Sequence, residues 1–173
     1  ETLALNGLND IAYNAMNQED FPSFGNWIKQ GATVTWEKWN GADSRNHPMF
    51  GGGLTWFYRI LAGVNVDAER PAYEHIIIKP ILDKRLPEVY YSHMTPYGEV
   101  VSEIRQTGRN LEMNVTVPVG STATIYIPVG GNTSEVTESG ISVRDSKDVR
   151  FERIQDGNCI VRVPQGKYKF KVD

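Results

Sequence analysis

Apolar residues recur at helical spacing at the start of the chain. Ala4, Leu8, Ile11 and Ala15 share one face of "LALNGLNDIAYNAM", which predicts an amphipathic helix over about residues 2 to 16 despite Gly7. The acidic, proline-containing "NQEDFP" ends it. "PSFGNWIKQG" predicts a short second helix, with Pro22 near its first turn and Gly31 as its stop. "LTWFYRILAGV", residues 54 to 64, predicts a third, with Gly63 at its C-cap. This segment is apolar on most sides and needs neighbours on several faces, more than two short helices supply. Residues 1–73 therefore read as the last helices of a larger helical domain.

After Pro71 the pattern changes to period two. Short β-rich runs follow at "HIIIKP", "EVYYSHM", "EVVSEIRQ", "LEMNVTVP", "TATIYIPV", "VRFERI", "CIVRVP" and "YKFKVD". Turn signals such as "PYG", "TGRN", "PVGS", "GGN", "QDGN" and "PQG" separate them. Antiparallel strands of this length and spacing predict a β-sandwich over residues 74–173, with the boundary near 71 to 80. The expected class is α+β in two parts, helices first and sandwich second.

Composition narrows the partners. At 173 residues, 40% of them apolar, the chain has enough material for real cores. A net charge of −3 without long runs of one sign gives no electrostatic footprint for nucleic acid or an anionic membrane surface. No apolar run approaches the roughly 18 residues that span a bilayer, and the N-terminus has neither a basic nor an apolar targeting region. The chain starts without methionine and reads as a piece of something longer, so its compartment stays open. A single cysteine, Cys159, excludes an intrachain disulfide; its alternation with Val161 and Val163 makes it core filler.

One stretch raises a question of chemistry. "GATVTWEKWNG" sets Glu37 between Trp36 and Trp39, and an isolated buried carboxylate costs several kcal/mol unless it is paired or neutralised. In an extended backbone Glu37 and Trp39 share a face while Trp36 and Lys38 share the other. A carboxylate beside an indole suits sugar chemistry: the pyranose C–H face stacks on the ring and the carboxylate handles water, a proton or a hydroxyl. An ion pair with Lys38, Lys29 or Arg45 would account for the same residue without any chemistry. His47, in "SRNHPMF", is held extended by Pro48 and could donate to a hydroxyl or orient Glu37.

Other features carry less. "GGG" at 51 to 53 lacks the Lys-Ser or Lys-Thr of a phosphate loop and reads as close packing. Three histidines at 47, 75 and 93 show no metal-ligand spacing, and His75 and His93 are expected at the surface or half-buried on strands. No metal or cofactor is implied. Asn114 in "NVT" and Asn132 in "NTS" fit the glycosylation acceptor pattern.

Taken together, "EDFPSFGNWIKQGATVTWEKWNG", "SRNHPMFGGGLTWFYRILAGV", "YEHIIIKP" and "TPYGEVVSEI" resemble the C-terminal part of bacterial α-L-rhamnosidases of glycoside hydrolase family 78. The resemblance runs in order from about residue 7 to at least residue 128. It implies the terminal helices of an (α/α)6 barrel followed by an antiparallel β-sandwich. It also implies inverting hydrolysis of rhamnose-containing glycosides, with one carboxylic acid protonating the leaving oxygen and a second carboxylate activating water. By position in the family's motif, Glu37 is the second of these, the general base; His47 matches a histidine on the bound rhamnose, and Trp36 and Trp39 match aromatics that shape or support the pocket. Lys38 stands where the family usually has arginine, and Asn40 where aspartate is frequent. The family's general acid lies upstream of residue 1, so the 173 residues alone are expected to be inactive. The exposed third helix makes self-association of the piece an expectation. The residues themselves leave open another inverting barrel glycosidase, or a non-catalytic carbohydrate-binding or structural module.

Overall fold

The computed structural model describes residues 1–130 and 135–173, which leaves Asn132 outside the described residues. By its internal contacts the chain divides into two units, Glu1–Phe57 and Tyr58–Asp173.

In the first unit the expected opening helix is broken in two. Gly7 adopts φ +78° and Leu8 N–H donates back to Leu3 O at 2.9 Å, closing α1 (Thr2–Leu5) before α2 (Asn9–Met16) begins. Helix α3 (Phe24–Lys29) starts two residues after Pro22, because Ser23 is its cap: the Ser23 Oγ accepts from Asn26 N–H at 2.9 Å. The expected third α-helix does not form. Pro48–Leu54 is a 3₁₀ segment and Trp56–Leu61 a π-helical one. Three consecutive glycines lower the helix propensity of the first part, and the Thr55 hydroxyl bonds Gly52 O at 2.8 Å in place of a regular helical ladder. Trp56 is nevertheless buried, its Nε1–H donating to Asn9 Oδ1 at 2.9 Å and its ring edge-on to Tyr13.

The sandwich begins earlier than the period-two pattern suggests. Gly63 turns at φ +74°, and a Cβ there would lie 2.2 Å from Pro80 N, so only glycine fits. The next residues are a strand. The strands are β1 (Val64–Val66), β2 (His75–Ile78), β3 (Glu88–Thr95), β4 (Gly98–Thr107), β5 (Asn110–Val117) and β6 (Thr122–Pro128). They continue as β7 (Val136–Glu138), β8 (Ile141–Ser142), β9 (Arg150–Gln155), β10 (Asn158–Val163) and β11 (Gly166–Val172).

All eight expected runs are strands; β1, β7 and β8 are additional, each too short to show an alternation. One sheet has the order β1-β2-β6-β10-β9, the other β3-β4-β5-β11-β7-β8. Every pairing is antiparallel except β2 with β6. Alternate residues face inward: Ala123, Ile125 and Ile127 meet Ile104, Met113 and Phe170 of the other sheet in one core. Each fully buried side chain of this size contributes about 1.5–3 kcal/mol relative to exposure. Cys159 is part of that core, and burial raises the pKa of its thiol.

Candidate functional site

The site lies in the loop between α3 and the 3₁₀ segment, within the first unit. Two backbone rungs hold it: Glu37 N–H donates to Ser44 O at 2.8 Å, and His47 N–H to Thr35 O at 2.8 Å. The Thr35 hydroxyl adds a bond to His47 O at 2.5 Å. These rungs tie the segment carrying Glu37 to the segment carrying His47. Gly41, at φ +73°, makes the turn between them; a Cβ there would come 2.7 Å from the Trp36 ring.

An aromatic stack forms the wall. Trp39 sits 4.4 Å from Trp27 and 4.4 Å from Phe50 between ring centroids, with Phe24 edge-on at 5.4 Å. Trp27 Nε1–H donates to Trp39 O at 2.9 Å, which fixes the loop on α3. Trp36 is buried against Trp27, with the Arg45 guanidinium 4.7 Å over its ring. Glu37 and Trp39, with Phe21 and Phe50, line an open cleft of about 400 Å³. Trp36 therefore stands behind the wall and Trp39 forms its face.

None of the three expected ion partners reaches Glu37. Lys38 pairs with Asp43, Lys29 pairs with Glu19 at 2.7 Å, and Arg45 donates to Gly41 O at 3.0 Å. Glu37 makes no ion pair among the described residues; its Oε2 accepts from Ser44 N–H at 3.2 Å, leaving Oε1 without a hydrogen bond. Among the described residues it is the one carboxylate lining the cleft. Asn40, where the family often has aspartate, accepts from Ala42 N–H at 3.1 Å through its side-chain oxygen, a bond a carboxylate would make equally.

His47 caps the 3₁₀ segment, its Nδ1 accepting from Met49 N–H at 3.2 Å. With Nδ1 an acceptor, the neutral ring carries its proton on Nε2, the form that donates to a hydroxyl. His47 lies outside the lining of the Glu37 cleft. A larger, mostly apolar groove of about 740 Å³, bounded in part by Phe24, Trp27, Ile28, Leu54 and Phe57, contains neither Glu37 nor His47. Phe21 and Phe50 were not singled out in the sequence; their place beside "EDFP" and "HPMF", close to the acidic and histidine motifs, was the available signal. Among the described residues no group of three or more His, Cys, Asp or Glu side chains is placed to hold a metal ion.

Residues 1–61 match the family model of the bacterial alpha-L-rhamnosidase 6 hairpin glycosidase domain, and residues 63–142 that of the bacterial alpha-L-rhamnosidase C-terminal domain. The chain belongs to the bacterial α-L-rhamnosidase family, as a C-terminal fragment. An alpha-L-rhamnosidase of Formosa agariphila is 28% identical over 182 residues, covering 99% of this chain and 19% of that protein. The solved structure of alpha-L-rhamnosidase from Dictyoglumus thermophilum matches with a TM-score of 0.85 and 33% identity, over 99% of this chain and 20% of its own. The Streptomyces avermitilis alpha-L-rhamnosidase complexed with L-rhamnose matches with a TM-score of 0.84 and 25% identity, over 99% of this chain and 17% of its own. The chain spans 14% to 19% of the length of the curated relatives it matches.

Proposed function

We propose that the chain is part of an enzyme that hydrolyses terminal α-L-rhamnosyl residues with inversion, and that Glu37 is its general base. The carrying observation is a carboxylate with no ion-pair partner among the described residues, on an aromatic cleft, with one oxygen held by Ser44 N–H and the other unbonded. A fixed Oε2 leaves Oε1 to take the proton of an attacking water, the role a general base fills. Trp39 offers a face to the sugar, Trp36 backs it, and His47 donates from Nε2 to a sugar hydroxyl.

Inversion requires a second carboxyl group about 6.5 to 9.5 Å away, so that water fits between base and anomeric carbon. The cleft supplies one carboxylate, so the general acid comes from the part of the enzyme outside these 173 residues. The isolated chain is accordingly inactive. In the longer protein, Glu37→Gln lowers hydrolysis of an aryl α-L-rhamnoside by about 10²-fold or more, with an aryl β-glucoside as the negative control. A loss of only a few-fold removes the general-base assignment. Binding of free rhamnose without turnover by the longer protein would make the site a sugar-binding module.

A further inference from the structure

The outer face of the five-stranded sheet carries a separate polar cavity of about 140 Å³, wholly within the second unit. The strand register builds it. His75 pairs with Thr122, Ile77 with Thr124, Tyr126 with Ile160 and Thr124 with Arg162, so these side chains share the face opposite the core. His75 is only 4% exposed, and both ring nitrogens are held, Nδ1 by the Thr122 hydroxyl at 2.7 Å and Nε2 by that of Thr124 at 2.9 Å. Burial, with Arg70 and Arg162 nearby, lowers the imidazole pKa below its ordinary value, so the floor is uncharged at neutral pH.

The rim is charged and incompletely paired. Arg70 pairs with Asp67 at 3.5 Å, and Arg162 approaches Glu152 Oε1 at 3.5 Å. Arg153 pairs with no carboxylate among the described residues, its Nε donating to Gln155 Oε1 at 2.6 Å. Glu152 Oε1 is shielded from solvent. Guanidinium nitrogens of Arg150 and Arg162 come within 3.2 and 3.5 Å of it, yet neither is aligned as a donor, and the oxygen has no hydrogen bond. The two guanidinium groups balance its charge, but the oxygen keeps an acceptor position open to a well-aligned donor.

An acceptor without a hydrogen bond and a cation without a carboxylate call for complementary groups on one molecule. A hydroxyl answers Glu152, an anionic oxygen answers Arg153, and ring C–H groups answer Ile77, Ile160 and the Tyr126 ring. We propose that this cavity binds an acidic monosaccharide, a pyranose whose hydroxyl donates to Glu152 Oε1 and whose carboxylate pairs with Arg153. The sandwich then holds an anionic sugar at a place separate in sequence from the Glu37 loop.

Titration of the 173-residue chain with glucuronate, glucose and acetate, followed by calorimetry or amide NMR shifts, tests this. Glucuronate saturates with a Kd on the order of 1 mM, while glucose and acetate each bind about tenfold or more weakly. Arg153→Ala and Glu152→Gln each weaken glucuronate about tenfold, the loss of one charged hydrogen bond, with thermal melting recorded to verify folding. Arg153 is exposed and tolerates truncation. Absence of saturable glucuronate binding overturns the assignment. So does acetate binding as tightly as glucuronate, or undiminished binding in a folded form of either variant.

Discussion

Glu37 stands between two indoles with different roles. Trp36 is buried under Arg45, and Trp39 lines the cleft with Glu37. The two-residue offset between Glu37 and Trp39 made that shared side legible in the sequence, although the loop is held by turns rather than a strand. Composition could not tell which cations Glu37 would meet; only the fold sends Lys38 to Asp43 and Lys29 to Glu19. His75 is a correction at the same scale. Its neighbours on β2 suggested ordinary surface or half-buried packing, but the parallel register with β6 puts two threonine hydroxyls on its ring nitrogens and buries it. A partner from another strand leaves no local mark. Burial lowers the pKa of His75, as it does for His93, whose ring nitrogens are also buried and have no hydrogen-bond partner among the described residues. The unfolded chain, with histidines near about 6.5, then takes up protons first as pH falls. Stability is full above about pH 6.5 and is lost below it, by at most about 1.4 kcal/mol per pH unit for each proton. Thermal melts of the chain at pH 8, 7, 6 and 5 should be flat at the top and fall at the bottom, with His75→Gln shallower; an equal slope in the variant contradicts this role.

At the scale of elements, alternation is the more reliable guide and helical spacing the less. Every run with period two became a strand, because alternate burial in a sandwich is imposed by the two faces of each sheet. The segment from 54 to 64 misled because an apolar run records burial without conformation. The glycines at 51 to 53 precede it in a 3₁₀ segment that ends at Leu54, Trp56–Leu61 is π-helical, and its last residue, Val64, begins β1, paired with Ile78. Gly63 is the hinge of that change. Gly63→Ala must adopt a left-handed backbone and move Pro80, a combination expected to cost more than about 2 kcal/mol. A chemical denaturation curve within about 0.5 kcal/mol of the parent would show that the turn relaxes freely.

Across the whole chain, the sandwich closes its own core while the first unit leaves apolar groups uncovered. Leu5, Ile11, Phe21, Ile28 and Leu54 are each about half exposed or more, and the groove beside α3 is largely apolar. Exposed patches of this kind drive association. Sedimentation of the isolated chain should show a mass that rises with concentration, and Ile28→Lys, at 70% exposure, should reduce it; a constant monomer mass at all concentrations is the contrary result. The family was legible from the motif around Glu37 and from the stretches that follow it in order, "SRNHPMFGGGLTWFYRILAGV", "YEHIIIKP" and "TPYGEVVSEI", whereas no motif of the sequence offered a second carboxylate to pair with Glu37. The role of Glu37 is tested most directly by chemical rescue in the longer protein. Glu37→Ala supplied with azide should recover activity on an aryl α-L-rhamnoside by about tenfold or more and yield the β-configured rhamnosyl azide by NMR, because azide replaces the activated water on the same face. Full hydrolysis without azide, or an α-configured product, would contradict Glu37 as the base of an inverting reaction.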